Sequence, residues 1–246
     1  MSPRVVDVLR QIAVFSTVVC GVMAYPRNVE ANRPFIIAVI DSGVHAGKNT
    51  HMCKFGHKSF VESKGYYSTK QNPLYDEHGH GTHVAGIIER NAGDSDYCIV
   101  SIKFWSPSEN KGSTDAMIKS IQYAINIKVD AINISAGGTE PSEEERSLIK
   151  LAIDKGIRIF AAAGNEASDL DKKCNYFPAC YDDRIVSVGN LQSNMTISAS
   201  SNFGRVVKRW AIGTNIESTV PSGTTTMSGT SQATAVIAGQ FIKGLK

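Results

Sequence analysis

The chain contains 246 residues, 20% of them charged, and carries a formal net charge of +3. A chain of this length can bury a sizeable hydrophobic core, and α/β folds of this size often form a single domain. Because the small positive charge comes without a run of basic residues, the composition gives no indication of a nucleic-acid partner.

Residues 1–24 have the pattern of a signal peptide. Arg4 and Arg10 precede a largely apolar run at 12–24, which ends at an alanine and is too short to span a bilayer. We therefore predict a signal peptide at 1–24 and one domain at 25–246. The protein would be secreted or periplasmic, without membrane contact once the signal is removed. A buried N-terminal helix is the alternative.

Beyond this leader, apolar runs alternate with segments of helical periodicity. The continuous apolar run at 35–40 is typical of a central parallel strand that is buried on both faces. Further strands are predicted at 97–104, 131–135, 157–163 and 185–188, and helices from residue 80, at 113–127, at 142–156 and from residue 230. Ser142 and Glu145 have the spacing of a capping box for the third helix. Strands that alternate with helices predict a mostly parallel α/β sandwich.

Four polar residues stand at the ends of these predicted elements. Asp41 follows the first strand in the sequence DSG, and His80 begins a helix in the sequence HGTHVAG. Asn165 follows the sequence AAAG after another strand, and Ser231 begins the last helix within SGTSQATA. Backbone N–H groups at a helix start lack intrahelical acceptors and could stabilise an oxyanion. Taken singly, each motif also has an ordinary interpretation as a turn or a helix cap.

Together and in this order, the motifs resemble those of the subtilisin-like serine endopeptidases, over roughly residues 35–243. The resemblance implies a three-layer sandwich with a mostly parallel central sheet, shortened at the C-terminus. It also implies hydrolysis of a polypeptide substrate through an acyl-enzyme. We expect a monomer without a cofactor or a catalytic metal.

The resemblance also implies a role for each polar residue. Ser231 would be the nucleophile and His80 the general base, oriented by Asp41. Asn165 and the Ser231 backbone N–H would stabilise the oxyanion. The segments expected to bind the substrate are represented by Ser135, Ala136, Gly137, Ala162 and Gly164.

The sequence departs from the family pattern at several points. Relatives carry a long prodomain, whereas only about ten residues separate the predicted cleavage from the first strand. Gln232 stands where relatives have Met, and Ala235 where they have Pro. The segment at 90–97 is too short for the calcium loop of many relatives; its polar residues Asn91, Asp94 and Asp96 could bind calcium, although a solvated turn is favoured. A catalytically idle relative that binds a peptide or partner protein is therefore the alternative function.

Four cysteines remain if the signal peptide is removed, namely Cys53, Cys98, Cys174 and Cys180. An even number in an exported chain indicates two disulfides, for which three connectivities exist. Cys174 and Cys180 lie six residues apart in one predicted loop, so that pairing is favoured, and Cys53 would then pair with Cys98. Four buried free thiols are the alternative.

Overall fold

The computed structural model describes residues 33–61, 71–107 and 112–245. The signal peptide predicted at 1–24 lies outside these described residues and stays a prediction. Within the described part of the chain, no helix combines the length and the hydropathy that a membrane span requires.

A parallel sheet of seven strands forms the centre of the described structure, in the spatial order β2-β3-β1-β4-β5-β6-β7. The strands are β1 Phe35–Asp41, β2 Lys58–Ser59, β3 Tyr97–Lys103, β4 Ala131–Ile134, β5 Arg158–Ala162, β6 Val186–Leu191 and β7 Arg209–Ile212. Every pairing in this sheet is parallel. The carboxyl ends of β1, β4 and β5 therefore lie side by side at one edge.

Helices cover both faces of the sheet, which confirms the predicted three-layer sandwich. They are α1 His80–Ala92, α2 Thr114–Asn126, α3 Glu143–Asp154 and α4 Thr230–Lys243. Residues of α2 and α3 form one core cluster with Ala38 and Ile40, and residues of α1 and α4 form a second cluster with Ile37 and Val39. Successive side chains of a strand point to opposite faces, so β1 contributes to both cores.

The predicted capping box of α3 forms only in part. Ser142 accepts a hydrogen bond from the Glu145 backbone N–H at 3.3 Å. The Glu145 carboxylate does not return the bond to Ser142, because it accepts the Tyr181 hydroxyl at 2.9 Å. The Ser142 N–H donates to that same hydroxyl oxygen at 2.8 Å. A tertiary partner has therefore replaced the local one.

The segment before Ser231 contains a hairpin that the sequence analysis does not predict. β8 Ile216–Val220 and β9 Gly223–Met227 form an antiparallel hairpin outside the main sheet. The threonine-rich β9 lacks the apolar alternation by which strands are recognised. A buried histidine holds the hairpin, since His83 Nε2 lies 3.0 Å from the Ile216 carbonyl oxygen and 3.1 Å from that of Thr225.

Two disulfides form as predicted. Cys53 pairs with Cys98, which lies on β3, and Cys174 pairs with Cys180 in the loop before β6. The alternative of four free thiols is therefore wrong. The second disulfide encloses a short loop whose Phe177 pairs with Gly138 beyond the end of β4.

Candidate active site

Asp41 is the last residue of β1, at the carboxyl edge of the sheet. Its side chain is buried, with 3% of the residue exposed. In parallel α/β sheets this edge is where ligands bind, because the loops that follow the strands meet there. The apolar strand β1 thus ends in a carboxylate at the border of the hydrophobic core.

His80 begins α1 and contacts Asp41 directly. Its Nδ1 lies 2.8 Å from Asp41 Oδ1 and 3.0 Å from Oδ2. The following residue must be small, because a Cβ on Gly81 would collide with the Gly43 carbonyl oxygen. The first turn of α1 therefore packs closely against the end of β1, and Nδ1–H donates to the carboxylate.

The carboxylate also sets the protonation behaviour of His80. Burial lowers the pKa of the imidazole, but the charge of Asp41 and its hydrogen bond, with a smaller contribution from Asp76, outweigh burial and raise the pKa above its ordinary value. With Nδ1 engaged by Asp41, Nε2 is the nitrogen that can accept a proton. The pair can therefore act as a general base that is oriented in advance.

Ser231 is the second residue of α4, and its hydroxyl points to the neighbouring strand end. Ser231 Oγ donates to the Ser135 carbonyl oxygen at 2.9 Å, and Ser135 Oγ donates to the Ser231 carbonyl oxygen at 3.1 Å. Ser135 follows β4, the strand paired with β1. Ser231 thus lies above the strand end adjacent to that of Asp41.

The expected hydrogen bond between Ser231 and His80 is not formed. Among the hydrogen bonds of the described residues, Ser231 Oγ donates to Ser135 and His80 bonds to Asp41. A hydroxyl changes its partner by rotation about one side-chain bond. The structure therefore brings Asp41 and His80 into contact, while Ser231 is bonded to Ser135 and not to His80.

Asn165 follows β5 with an exposed side chain. Its Oδ1 accepts hydrogen bonds from the Thr230 backbone N–H at 3.0 Å and from Thr230 Oγ1 at 3.3 Å. This contact fixes the amide beside the first turn of α4 and leaves its NH₂ end for an incoming group. Together with the Ser231 backbone N–H in that turn, the amide can stabilise an oxyanion.

The two segments predicted to bind substrate lie on either side of this point. Ser135, Ala136 and Gly137 follow the end of β4, and the neighbouring Gly138 pairs antiparallel with Phe177. Ala162 ends β5, and the Gly164 N–H donates to Thr230 Oγ1 at 3.2 Å. Because β4 and β5 are paired up to Ile134 and Ala161, the two segments leave the sheet from adjacent strand ends.

Tyr176 lies between these segments and was missed from the sequence. A Cβ on Gly137 would lie 2.6 Å from Tyr176 Cε1, and a Cβ on Gly164 would lie 2.7 Å from Cδ2. Opposite edges of one ring therefore contact the two segments. Burial and the charge of Glu166 raise the pKa of this phenol to about 12, so it is neutral. Its position between Cys174 and Cys180 is the only sequence signal that could have indicated it.

Asp76 is a second residue that the sequence analysis missed. It is 1% exposed and accepts hydrogen bonds from the start of α1 and from Ser42. An acidic residue four positions before His80 was the available signal.

For metal binding, no group of three or more His, Cys, Asp or Glu side chains suited to an ion occurs among the described residues.

Comparisons with known proteins show which sequences and structures this chain resembles. The sequence model of the subtilase family matches residues 32–243. Subtilisin DY of Bacillus licheniformis is 32% identical over 211 residues, which cover 82% of this chain and 73% of the relative. The intracellular serine protease of Paenibacillus polymyxa is 33% identical over 224 residues, which cover 86% of this chain and 67% of the relative.

Solved structures are similar over most of the chain as well. A cold adapted subtilisin-like serine proteinase has a TM-score of 0.68 and 31% identity, covering 87% of this chain and 78% of its own. A lanthipeptide protease has a TM-score of 0.69 and 25% identity, covering 83% of this chain and 71% of its own.

Proposed function

Because this chain belongs to the subtilase family and is a serine endopeptidase, we propose that Asp41, His80 and Ser231 are its catalytic triad. Asn165 and the Ser231 backbone N–H then form the oxyanion hole. The alternative of a catalytically idle relative is not supported, since the chain has all four residues at the same edge of the sheet.

The contact between Asp41 and His80 is the observation that carries this assignment. A buried carboxylate holds Nδ1 of the imidazole within 3.0 Å of both its oxygens. This geometry fixes the tautomer and stabilises the imidazolium that forms during the reaction. Ser231 lies over the neighbouring strand end, and the proposal requires its hydroxyl to turn from Ser135 to His80 during the reaction.

Hydrolysis then proceeds through two symmetrical stages. His80 Nε2 takes the Ser231 hydroxyl proton while Oγ attacks the scissile carbonyl carbon, and the oxyanion accepts hydrogen bonds from Asn165 and the Ser231 N–H. The intermediate collapses as His80 returns the proton to the leaving amine, which leaves an acyl-enzyme. Water, deprotonated by His80, attacks the ester carbonyl carbon; His80 then returns this proton to Ser231 Oγ as the ester bond breaks, which releases the acid and restores the enzyme.

We propose that the peptide substrate binds in an extended conformation along residues 135–137. Backbone groups beyond the end of a strand can pair with an added strand, while side chains enter the spaces between neighbouring segments. Gly137 and Gly164 leave room for the ring of Tyr176, which lies against both segments. The side chain before the scissile bond would then enter the space between residues 135–137 and 162–164, above the ring of Tyr176.

Export as a monomer is a further proposal. Two disulfides in a chain of this size support an oxidising compartment. The relatives include a protein named an intracellular serine protease, so location does not follow from family membership. Mass spectrometry of the protein from its natural host, with N-terminal sequencing, tests the predicted cleavage after residue 24.

Labelling with a fluorophosphonate tests the proposed triad. We expect rapid labelling of the parent protein, no labelling of Ser231→Ala and very slow labelling of His80→Ala. Ser228→Ala is a matched control, because Ser228 lies three residues earlier and contacts Asn215 rather than the site. Loss of labelling in the Ser228 variant with retention in the Ser231 variant would overturn the assignment.

A further inference from the structure

Asp76 is a buried carboxylate that the hydrolytic mechanism does not use. It lies four residues before His80 and is 1% exposed. A buried carboxylate is costly unless hydrogen-bond donors surround it. Asp76 has four such donors, and all of them lie within or directly beside the two elements that carry Asp41 and His80.

Each oxygen of Asp76 contacts the start of α1. Oδ1 accepts the Gly79 backbone N–H at 2.9 Å, and Oδ2 accepts the Thr82 backbone N–H at 2.9 Å and the Thr82 hydroxyl at 2.6 Å. These donors flank His80 on both sides in sequence. Asp76 therefore acts as a cap for α1 from outside the helix and fixes the turn from which the imidazole projects.

Ser42 connects Asp76 to the other member of the pair. Its hydroxyl oxygen lies 2.8 Å from Asp76 Oδ1 and 3.2 Å from Asp41 Oδ1. The Ser42 backbone N–H donates to Asp41 Oδ1 at 2.7 Å, and the Gly81 N–H donates to Ser42 Oγ at 3.0 Å. One serine thus lies between two carboxylates and contacts the helix that carries His80.

We propose that Asp76 is a positioning residue for peptide hydrolysis, which aligns the His80 imidazole with the Asp41 carboxylate by holding the first turn of α1 and the hydroxyl of Ser42. This inference rests on the proposed role of His80 as general base. Asp76 does not touch the substrate. It acts through the contacts that hold the side chains of Asp41 and His80 in their positions relative to each other.

The charge of Asp76 also reaches His80. The pKa of His80 is raised mainly by Asp41, against the effect of burial, and Asp76 adds to the rise. Other ionisable groups in the same region are His83 and Lys103, and burial lowers the pKa of each. Glu77, beside Asp76, attracts the Lys103 ammonium as Asp76 does. Removing the Asp76 charge would therefore lower the pKa of His80.

Kinetics of Asp76→Asn in the full chain test the proposal. Asparagine keeps the size of the side chain but turns one acceptor into a donor that faces donors. We expect kcat to fall by about 10- to 100-fold with KM little changed, because a small misplacement of a catalytic group has effects of this order. The acid limb of the kcat/KM profile should also move to lower pH, which loss of stability alone would not produce.

Asp130→Asn is the matched control. The Asp130 carboxylate accepts the Ile36 backbone N–H at 2.7 Å, at the amino end of β1 and therefore at the opposite edge of the sheet. The same chemical change there should leave kcat and the pH profile at parental values. If Asp76→Asn does not fold, Ser42→Ala replaces it, because it removes the connecting hydroxyl and keeps both carboxylates; we expect a fall of about tenfold in kcat without a change in KM.

The outcomes separate this inference from the proposed function. A parent that reacts with fluorophosphonate, together with an Asp76→Asn variant of unchanged kcat and unchanged acid limb, would overturn the role of Asp76 alone. A folded Ser42→Ala variant with parental kcat would do the same. A parent that neither reacts nor cleaves peptides would overturn the triad itself.

Discussion

The two halves of the site are held in different ways. The half that contains Asp41, His80 and Asp76 is built from short contacts among buried or half-buried groups, with Asp76 bonded to four donors. In the other half, Asn165 is exposed and the Ser231 hydroxyl donates to a backbone carbonyl oxygen. The proposed base is therefore fixed before substrate arrives, whereas the proposed nucleophile is not yet aligned with it.

The difference has a physical basis. Charged groups removed from water must have their partners in place, because an unpaired buried carboxylate is very unfavourable. A hydrogen bond of a neutral hydroxyl contributes only about 1 kcal/mol, and exchanging it for another such bond costs still less. The carboxylates and the imidazole thus require hydrogen-bond partners that are already in place. The Ser231 hydroxyl can instead remain bonded to Ser135 until a substrate binds.

The largest expected effect comes from the nucleophile half. Ser231→Ala should lower kcat by roughly 10⁶, the loss that subtilisin itself shows for its serine or histidine. The fold should remain, since the hydroxyl makes one hydrogen bond, to the Ser135 carbonyl. Peptide cleavage and thermal unfolding measured on the same preparations check both statements. A variant with more than a tenth of parental activity would remove Ser231 from the mechanism.

The next effect tests the oxyanion hole. Asn165→Asp keeps an oxygen for the Thr230 donors but has no side-chain N–H, so kcat should fall by at least the ~10²–10³ that subtilisin loses with its corresponding Asn. KM should change little. Thr230→Ser is the control, because it keeps both donors to the Asn165 oxygen and should retain parental kcat. Equal losses in the two variants would mean that Asn165 acts through the fold.

The disulfides separate stability from activity. Their cysteines are 45 residues apart for Cys53–Cys98 and 6 apart for Cys174–Cys180. In the chain-entropy model, loops of these sizes correspond to about 4 and about 2 kcal/mol of stability. Replacing Cys53 and Cys98 by Ser should thus cost more stability. Replacing Cys174 and Cys180 should instead raise KM, because their loop pairs with Gly138.

Chemical denaturation and peptide kinetics of the two double variants check this contrast. A variant without Cys174 and Cys180 that keeps the parental KM would show that the loop does not support the substrate-binding segment.

The smallest effect concerns the pocket beside Ser231. Tyr176→Gly removes the ring that contacts Gly137 and Gly164 and should deepen the space between them. We expect the ratio of kcat/KM for peptides with Phe before the scissile bond to that for peptides with Ala to rise by about tenfold. Tyr176→Phe keeps the ring and should keep the parental ratio. An unchanged ratio in the glycine variant would place the substrate side chain elsewhere.

Local sequence signals were sufficient for the main features of the fold. The apolar run that ends at Asp41, the helix start at His80 and the strand before Asn165 each mark a strand end or a helix terminus. Parallel pairing then brings the termini to one edge of the sheet. The order of these motifs indicated the family, which the comparisons confirm.

Features that depend on distant partners could not be read in this way. Glu145 bonds to Tyr181 instead of closing its capping box, because a partner 36 residues away competes with the local one. Asp76 looks like an ordinary loop residue until β1 and α1 meet around it. Tyr176 reaches the pocket only through the path of a disulfide loop. The direction of a side chain such as the Ser231 hydroxyl depends on spatial neighbours, here Ser135, that are distant in the sequence.

The rate of fluorophosphonate reaction at Ser231, measured against pH, tests the central claim most directly. The base must be neutral to accept the Ser231 proton, and Asp41 raises the pKa of His80 above 6.5 against the effect of burial. The rate should therefore fall as pH decreases, through one protonation with a midpoint above pH 6.5, and His80→Ala should be slow and lack this step. A parent rate that is independent of pH between 5 and 8, or equal rates in parent and His80→Ala with the adduct on Ser231, would contradict the account.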